Sequence, residues 1–305
     1  MNALVGYTGF VGSNLYEAGE FDAVYNSKNI QEAFGTNPDL LVYAGVCAEK
    51  YLANNAPDKD LEQIKIAEDN ISKINPKKLV LISTIDVFKN PLGVDENSII
   101  DIEGLHAYGY NRYLLECWVR ENYTDALIVR LPGLFGKNIK KNFIYDYINL
   151  IPSMLKEEKF IEFLEREPRL KDFYKKLDNG FYKVEVNDEK KEILKGIFRK
   201  LGFSALDFTD SRSRYQFYNL QRLWSDIGIA LRADIRLWHA ATEPVSAGEL
   251  YKFLTGKNFV NELSGVPMNY DYKTIYSRLY GGKNGYICDK TCIMEDINCF
   301  VQGEI

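Results

Sequence analysis

Three glycines near the start of the chain have the spacing of a nucleotide-binding turn. The apolar run 3–5 leads into Gly6, Gly9 and Gly12, and a helical pattern follows. A strand, a glycine turn and a helix in this order suit a dinucleotide pyrophosphate. Glycine allows a tight turn and a close approach of the backbone, and the helix N-terminus offers free N–H groups to the anion. The spacing is GxxGxxG rather than GxGxxG, and in this position it predicts a cofactor loop.

Hydroxyl groups at two further places could carry acid–base chemistry. Ser83 and Thr84 end an apolar run, and ligands of parallel α/β sheets bind at the carboxyl ends of strands. Tyr108 and Arg112 are four residues apart, so on a helix they share one face and a guanidinium lies near a phenol. We expect this charge to lower the pKa of Tyr108, which makes a general acid or base that works near neutral pH.

The elements that position these residues alternate along the first half of the chain. Apolar runs predict strands over 2–5, 21–25, 40–44, 78–82 and 126–131, and helical patterns cover 13–20, 58–74 and 107–121. This alternation predicts an α/β fold, a Rossmann-type doubly wound parallel sheet.

The character of the sequence changes near residue 149. The stretch 156–200 is dense in charged and aromatic residues with helical spacing, broken at 178–180. A strand is predicted at 235–238 and a helix at 247–254. We therefore expect a cofactor-binding domain over 1–148 and a smaller, mostly helical substrate lobe over 149–305. Part of 216–240 is expected to pack back onto the first domain.

Composition narrows the class of protein. The chain has 305 residues and a net charge of −5, and no basic stripe is available to neutralise nucleic-acid phosphates. No apolar run approaches membrane-spanning length, and the first strand leaves no room for a signal peptide. We expect a cytoplasmic protein without nucleic-acid or membrane partners.

The cysteines do not predict a disulfide framework or a metal site. They are five in number and form no CxxC pair. Zinc binding by the C-terminal trio Cys288, Cys292 and Cys299 is an alternative, but their spacing fits one helix face and neither histidine lies near. We expect no metal.

Four motifs together resemble the extended short-chain dehydrogenase/reductase family, the NAD(P)-dependent epimerases, dehydratases and reductases of nucleotide sugars. They are GYTGFVG at 6–12, ISTIDVF at 82–88, YGYNR at 108–112 and VRLPGLFG at 129–136. The likeness covers most of 1–148 and resumes from about 205. It implies that Thr84 holds the reacting oxygen, that Tyr108 moves the proton, and that Arg112 stands where the family has lysine.

Two departures from the family pattern affect the predicted chemistry. Arginine at 112 keeps the positive charge but is bulkier than lysine and cannot release a proton. Ile85 follows Thr84 where sugar 4,6-dehydratases have an acidic pair, which disfavours dehydration.

Cofactor choice depends on the end of the second strand. NAD enzymes usually place an acidic residue there, whereas this chain has Asn26, Ser27 and Lys28, which favours NADP and leaves NAD possible. The predicted cofactor-binding residues are Gly6, Thr8, Gly9, Phe10, Val11, Gly12, Ser27, Lys28, Ala44, Gly45, Tyr108 and Arg112.

The resemblance also implies a grip on the nucleotide diphosphate of a sugar substrate. Arg214 matches a family arginine with this role, which suits a guanidinium because its fork binds phosphate oxygens bidentately. The predicted substrate-binding residues are Thr84, Asp86, Asn142, Arg214, Gln216 and Tyr218.

Three functions fit these observations. The first is a keto-sugar reductase using NADP, and the second is a nucleotide-sugar epimerase using tightly held NAD. The third is a catalytically idle NAD(P)-binding sensor or scaffold, suggested by Arg112 and the charged segment 156–200. The resemblance also implies a homodimer formed through the helix that carries Tyr108.

Overall fold

The computed structural model describes residues 1–304. The strands are β1 (Asn2–Val5), β2 (Ala23–Tyr25), β3 (Leu40–Tyr43), β4 (Leu79–Thr84), β5 (Leu127–Leu131), β6 (Gly133–Phe135), β7 (Met154–Lys156), β8 (Tyr174–Lys176), β9 (Phe181–Val184), β10 (Arg214–Tyr215), β11 (Phe217–Asn219), β12 (Leu237–His239) and β13 (Val245–Ser246). The helices are α1 (Phe10–Ala18), α2 (Lys50–Asn55), α3 (Pro57–Ile74), α4 (Ala107–Asn122), α5 (Phe143–Asn149), α6 (Glu157–Arg166), α7 (Asp188–Leu201), α8 (Leu223–Arg232), α9 (Ala247–Thr255) and α10 (Lys290–Glu304).

The main sheet has the strand order β2-β1-β3-β4-β5-β12, and neighbouring strands are parallel. Its central strands are apolar almost throughout because helices cover both faces, as is usual for parallel sheets. The chain leaves β1 toward β2 and then crosses to β3 on the other side. The carboxyl ends of β1 and β3 therefore flank the switch point where such sheets bind ligands. The predicted Rossmann-type α/β fold is confirmed.

Most elements of this sheet lie where the sequence predicts them, and the differences have local causes. α1 begins at Phe10 rather than at residue 13, because Gly9 is already its N-cap and the helix starts inside the glycine turn. α2 was not expected from the sequence. It has six residues and buries only Ala53, so it shows no apolar periodicity.

The chain divides into two compact units, each built from several segments. Unit 1 comprises residues 1–139, 214–245 and 269–298, and unit 2 comprises 140–213, 246–268 and the chain from 299 onward. Unit 1 is discontinuous because β12 returns to the edge of the main sheet beside β5. The sequence predicts a boundary at residue 148 with part of 216–240 packing back onto the first domain, and its assignment of a cofactor domain and a substrate lobe stays a prediction.

Unit 1 contains the main sheet and an apolar core packed against it. Ile64 and Ile71 of α3 pack with Leu115 and Val119 of α4 against one face of the strands. The last residues of β4 and the first turn of α4 are thereby fixed relative to each other, which positions the site described below.

Unit 2 has its own core and a sheet that the sequence does not predict. Strands β7, β9 and β8 form an antiparallel sheet that packs with α6 and α7, and Phe160 stacks on Tyr182 with ring centroids 3.8 Å apart. The break predicted at 178–180 is the turn of the β8–β9 hairpin, where Gly180 has a φ of +78°. Strands of three or four residues are too short to show a clear alternation, so the helical spacing dominates the pattern.

No helix among residues 1–304 combines the length and apolarity that a membrane span requires.

Candidate functional site

The glycine turn, residues 6–12, has a backbone that admits no side chain at two of its positions. Gly6 has a φ of +90°, and a Cβ there would lie 2.4 Å from the carbonyl oxygen of Ala44. A Cβ on Gly12 would lie 2.0 Å from the carbonyl oxygen of Gly6. These distances are far below van der Waals contact, so both glycines are required for β1, β3 and α1 to approach this closely.

Gly9 differs from the other two because its surroundings are open. A Cβ there would meet only the Gly6 carbonyl oxygen, at 3.3 Å, and both Thr8 and Gly9 are exposed. Within the described chain, no side chain caps α1 and no acidic residue lies in its first turn. The N–H groups at the start of α1, with Phe10 and Val11 half-buried beside them, therefore form a cradle that fits an anion such as a pyrophosphate.

The ends of β2 and β3 complete this edge of the sheet. The Ala44 N–H donates to the Val5 carbonyl at 2.9 Å, and Gly45 follows it at the switch point. After β2, the side-chain oxygen of Asn26 accepts from the Lys28 N–H at 2.8 Å. This turn leaves Ser27 and Lys28 exposed, with no carboxylate at the end of β2 in the described residues.

A second group, the hydroxyl cluster of Thr84, Asp86 and Tyr108, forms where β4 meets α4. Thr84 is the last residue of β4, and its hydroxyl is near enough to the Tyr108 phenol to lower the pKa of that group. The Asp86 N–H donates to the Thr84 hydroxyl oxygen at 3.1 Å, which fixes the turn after the strand. Two hydroxyls and one carboxylate from two separate segments thus come together in unit 1.

Gly109, the residue after Tyr108, explains how α4 approaches the turn after β4 so closely. A Cβ on Gly109 would lie 2.1 Å from the Asp86 carbonyl oxygen, so only glycine lets the first turn of α4 pack against the turn after β4. His106 caps this helix, since its Nδ1 accepts from the Gly109 N–H at 3.0 Å. The Tyr108 N–H donates to the Asn54 side-chain oxygen at 3.0 Å, which anchors the tyrosine from α2.

The pKa of Tyr108 is raised to about 12, contrary to the direction predicted from the sequence. Burial is the largest cause, and it outweighs the lowering effect of the Arg112 guanidinium. The carboxylates of Asp86 and Asp60 raise the pKa further. Without bound ligands the phenol is therefore protonated at neutral pH, and it is suited to donate a proton rather than to accept one.

Arg112 lies behind Tyr108 rather than at its hydroxyl. Its Cζ is 4.0 Å from the centroid of the tyrosine ring. The guanidinium pairs with Asp60 and also donates to the backbone carbonyls of Cys47 and Tyr108. The side chains of Arg112 and Asp60 are only 6% and 9% exposed, so this is a buried ion pair. These interactions of Arg112 link α4 to α3 and to the segment after β3.

The Asp86 carboxylate has two partners that the sequence motifs do not mark. Lys50 of α2 forms an ion pair with it at 3.0 Å, and the Tyr270 hydroxyl donates to it at 3.0 Å. Lys50, Asp60 and Tyr270 lie 36, 26 and 184 residues from Asp86, and no spacing rule connects them to it. Only the folded chain brings these charges together.

Of the three predicted substrate-binding residues within 214–218, one is exposed and two belong to the interior. Arg214 is exposed at the start of β10. The Gln216 amide is buried, donating to the carbonyls of Thr242 and Tyr272 and accepting from the Tyr272 N–H. Tyr218 is buried and donates to Asp226 at 2.6 Å. Because their polar atoms are occupied in the core, Gln216 and Tyr218 are not included in the site.

Asn142 lies in unit 2, where it has a structural role. Its side-chain oxygen accepts from the N–H groups of Ile144 and Tyr145, so it caps the start of α5. A role in substrate binding stays a prediction for this residue.

No known family model matches the chain, and no curated protein matches it. Solved structures match over the whole length. One is a dTDP-4-dehydrorhamnose reductase from Yersinia enterocolitica, with a TM-score of 0.63 and 14% identity over 100% of this chain and 99% of that one. Another is the Bacillus anthracis dTDP-4-dehydrorhamnose reductase in complex with NADP, with a TM-score of 0.62 and 17% identity over 99% and 98%.

A UDP-glucose 4-epimerase from Thermotoga maritima, solved with UDP-glucose, matches with a TM-score of 0.62 and 14% identity over 99% of this chain and 98% of that one. At these identities the likeness establishes the fold. In the sequence, three features look most like dTDP-4-dehydrorhamnose reductase: the short link from the second strand to the strand at 40–44, ISTIDVF, and the residues from Arg130 onward.

Proposed function

We propose that this chain is an NADP-dependent oxidoreductase that reduces the keto group of a nucleotide-linked sugar. The observation that carries the proposal is the hydroxyl cluster, in which a threonine at the end of β4 contacts a protonated tyrosine on α4. Both lie in unit 1, where Thr84 ends β4 of the main sheet and the glycine turn follows β1 of the same sheet. The solved structures with this fold include two dTDP-4-dehydrorhamnose reductases, one of them with NADP.

The glycine turn supports dinucleotide binding. The cradle at the start of α1 would hold the pyrophosphate, with Gly9 leaving room for it, and Ala44 and Gly45 would line the switch point. Ser27 and Lys28 would face the ribose 2′-phosphate, which favours NADP over NAD. When bound, the nicotinamide would supply the hydride for the reduction.

The hydroxyl cluster would handle the substrate oxygen and its proton. The Thr84 hydroxyl would donate to the keto oxygen and hold it beside Tyr108. The phenol, protonated at neutral pH because its pKa is about 12, would then donate the proton that the reduced oxygen needs. The described end of β2 carries no carboxylate, which favours NADP over NAD and with it the reductase over the epimerase.

Arg214 would contact the nucleotide diphosphate of the substrate. It is exposed, and its backbone is fixed because its carbonyl accepts from the Tyr270 N–H at 3.1 Å. The same Tyr270 reaches Asp86 through its hydroxyl. Tyr270 thus links the backbone of Arg214 to the Asp86 carboxylate, which supports a role for Arg214 in the same site. A homodimer and a cytoplasmic location stay predictions.

A direct test combines binding and turnover. Purified protein would be titrated with NADPH and NADH by fluorescence, and then assayed for NADPH oxidation with dTDP- and UDP-linked 4-keto sugars. We expect tighter binding of NADPH and turnover of at least one keto sugar. Tightly bound NAD released on denaturation, together with interconversion of UDP-hexoses, would instead identify an epimerase.

The position of Arg112 favours one other function. Its N–H groups are directed to Asp60 and to backbone carbonyls, so they do not face the reacting hydroxyls. A protein that binds NADP but has lost hydride transfer would show this arrangement. NADPH binding without turnover of any keto sugar in the panel would support that function.

A further inference from the structure

A lysine that no motif marks lies beside the hydroxyl cluster. Lys50 is the first residue of α2, and its ammonium is 3.0 Å from the Asp86 carboxylate. Its side chain is 38% exposed, and that of Asp86 is 19% exposed. The pair is therefore partly shielded from water. Charges in such surroundings interact more strongly than charges on an open surface.

The charge balance around Tyr108 shows why this lysine matters. The carboxylate of Asp60 is paired with Arg112, on the ring side of the tyrosine. The charge of the Asp86 carboxylate also acts on Tyr108 and raises its pKa, and the Asp86 N–H donates to the Thr84 hydroxyl oxygen. When the phenol gives up its proton, the negative charge that forms is disfavoured by Asp86 unless a cation neutralises that carboxylate. Arg112 cannot do so, because its N–H groups are engaged elsewhere.

Building on the proposed function, we infer that Lys50 is the positioning residue that neutralises Asp86 and thereby supports proton donation by Tyr108. Lys50 acts through the Asp86 carboxylate, with which it forms an ion pair. Tyr270 holds the other carboxylate oxygen, so the carboxylate cannot rotate away from the lysine without losing a hydrogen bond. The chain thus has two cations with separate tasks: Arg112 joins helices, and Lys50 balances charge at the reacting end.

The chain contains a reporter for this arrangement that needs neither cofactor nor substrate. His106 is one of two histidines, and its pKa is lowered, mainly by burial and then by the Lys50 ammonium. Asp86 acts in the opposite direction on His106, and Arg112 in the same direction as Lys50. The other histidine, His239, is fully buried between Arg130 and the Lys273 carbonyl, so it serves as an internal control.

The first experiment is an NMR titration of the two histidines in the protein without ligands. Lys50→Met should raise the pKa of His106 by about half a unit, because a nearby positive charge is removed. Lys50→Arg should leave it near the parent value. His239 should not respond to either change. Lys59→Met, on an exposed face of α3, is the matched control. An unmoved His106 in Lys50→Met would show that the ammonium does not reside at the cluster, and would overturn the inference.

The second experiment is a double-mutant cycle on turnover of a confirmed keto sugar. Lys50→Met should lower kcat about tenfold with little change in the KM for the sugar or in NADPH affinity, and Lys50→Arg should restore most of the rate. If Lys50 acts by neutralising Asp86, then Lys50→Met should cost much less in an Asp86→Asn background than in the parent. Equal losses in both backgrounds would overturn the inference.

The two experiments separate failure of the inference from failure of the proposed function. If the parent protein binds no NADPH and reduces no keto sugar, the proposed function fails, while the histidine titration still decides whether Lys50 sits at Asp86. If the parent is active and Lys50→Met keeps the parent rate and pH profile, only the role of Lys50 fails.

Discussion

The glycine turn and the hydroxyl cluster lie at the carboxyl ends of two strands of one sheet, β1 and β4, but they differ in how they can be recognised from the sequence. The glycine turn is seven consecutive residues, and its function depends on backbone geometry that only glycine allows at Gly6 and Gly12. The hydroxyl cluster combines side chains from β4 and α4, and its charges come from α2, α3 and the segment near residue 270. A local turn can be recognised from the amino-acid sequence, whereas the charges around a side chain come together only when the chain folds.

The largest expected effect would come from breaking the buried pair behind the cluster. Arg112→Met should destabilise the protein by about 3–5 kcal/mol, because it leaves the Asp60 carboxylate buried without its partner. Urea denaturation would measure this loss. Arg236→Met is the control, since Arg236 pairs with Asp234 at the surface and should cost less than about 1 kcal/mol.

A companion variant tests whether Arg112 acts through Asp60. Asp60→Asn combined with Arg112→Met should recover part of the lost stability, because no buried charge then remains. If Arg112→Met is as stable as the parent, the arginine does not hold α3 and α4 together.

Removing the Tyr108 hydroxyl should have the next largest effect. This change should lower the rate of the reaction without changing the stability of the protein. Tyr108→Phe should lower kcat by at least about 10²-fold, the usual loss for a general acid, with NADPH affinity within twofold of the parent. The hydroxyl faces Thr84 rather than an apolar core, so folding should be preserved. Steady-state kinetics with a confirmed keto sugar would measure the rate. A variant that turns over as fast as the parent would remove Tyr108 from the mechanism.

The sequence predicts the main sheet, and it does not predict most of the charges around Thr84 and Tyr108. These two residues are proposed as reacting groups because they lie in recognisable motifs at a strand end and a helix start, and this role stays a prediction. The predicted direction of the Tyr108 pKa is wrong, because burial, which outweighs Arg112, cannot be derived from a spacing of four. Gln216 lies in a polar stretch of the sequence, yet its side-chain amide donates its hydrogen bonds to the backbone carbonyls of Thr242 and Tyr272. The sequence does not predict strands β7, β8 and β9, because three or four residues are too few to show an alternation of apolar and polar side chains.

Within the glycine turn, two substitutions should separate binding from folding. Gly9→Val should weaken NADPH binding at least about tenfold while the protein stays folded, because its Cβ would face the open cradle. Gly12→Ala should lower stability as well, since its Cβ would lie 2.0 Å from a backbone oxygen that cannot move freely. Fluorescence titration and thermal denaturation measure the two effects.

Gly196→Ala provides the control for these variants. Gly196 lies within α7, and a Cβ there meets nothing within 4 Å, so the change should be neutral or stabilise by up to about 1 kcal/mol. If Gly9→Val binds NADPH like the parent, the glycine turn does not hold the pyrophosphate.

Asp146 in unit 2 is a second group whose pKa is set by its surroundings, and its effect on stability should depend on pH. Burial raises the pKa of Asp146 on α5 from 3.8 to about 7. The folded state therefore favours the protonated form, and its contribution is fully present below pH 4 and is lost as the pH rises to 7. Asp146→Asn should thus stabilise the protein at pH 8 by about 1–2 kcal/mol, a value discounted for partial exposure, and by less at pH 5. Thermal denaturation at both pH values would measure this, and equal gains would exclude titration of Asp146 as the cause.

The smallest expected effect concerns the choice between the two cofactors at the exposed end of β2. Lys28→Glu should weaken NADPH binding about tenfold and leave NADH within about twofold, because attraction to a 2′-phosphate becomes repulsion while the ribose diol carries no charge. Both charges are exposed, so the difference should shrink as salt shortens the screening length below about 8 Å. Lys59→Glu, with the same change in net charge on α3, should affect both nucleotides equally. Equal weakening of NADPH and NADH by Lys28→Glu would mean that Lys28 faces solvent, and NADP preference would then have to come from Ser27 or from the backbone of the turn.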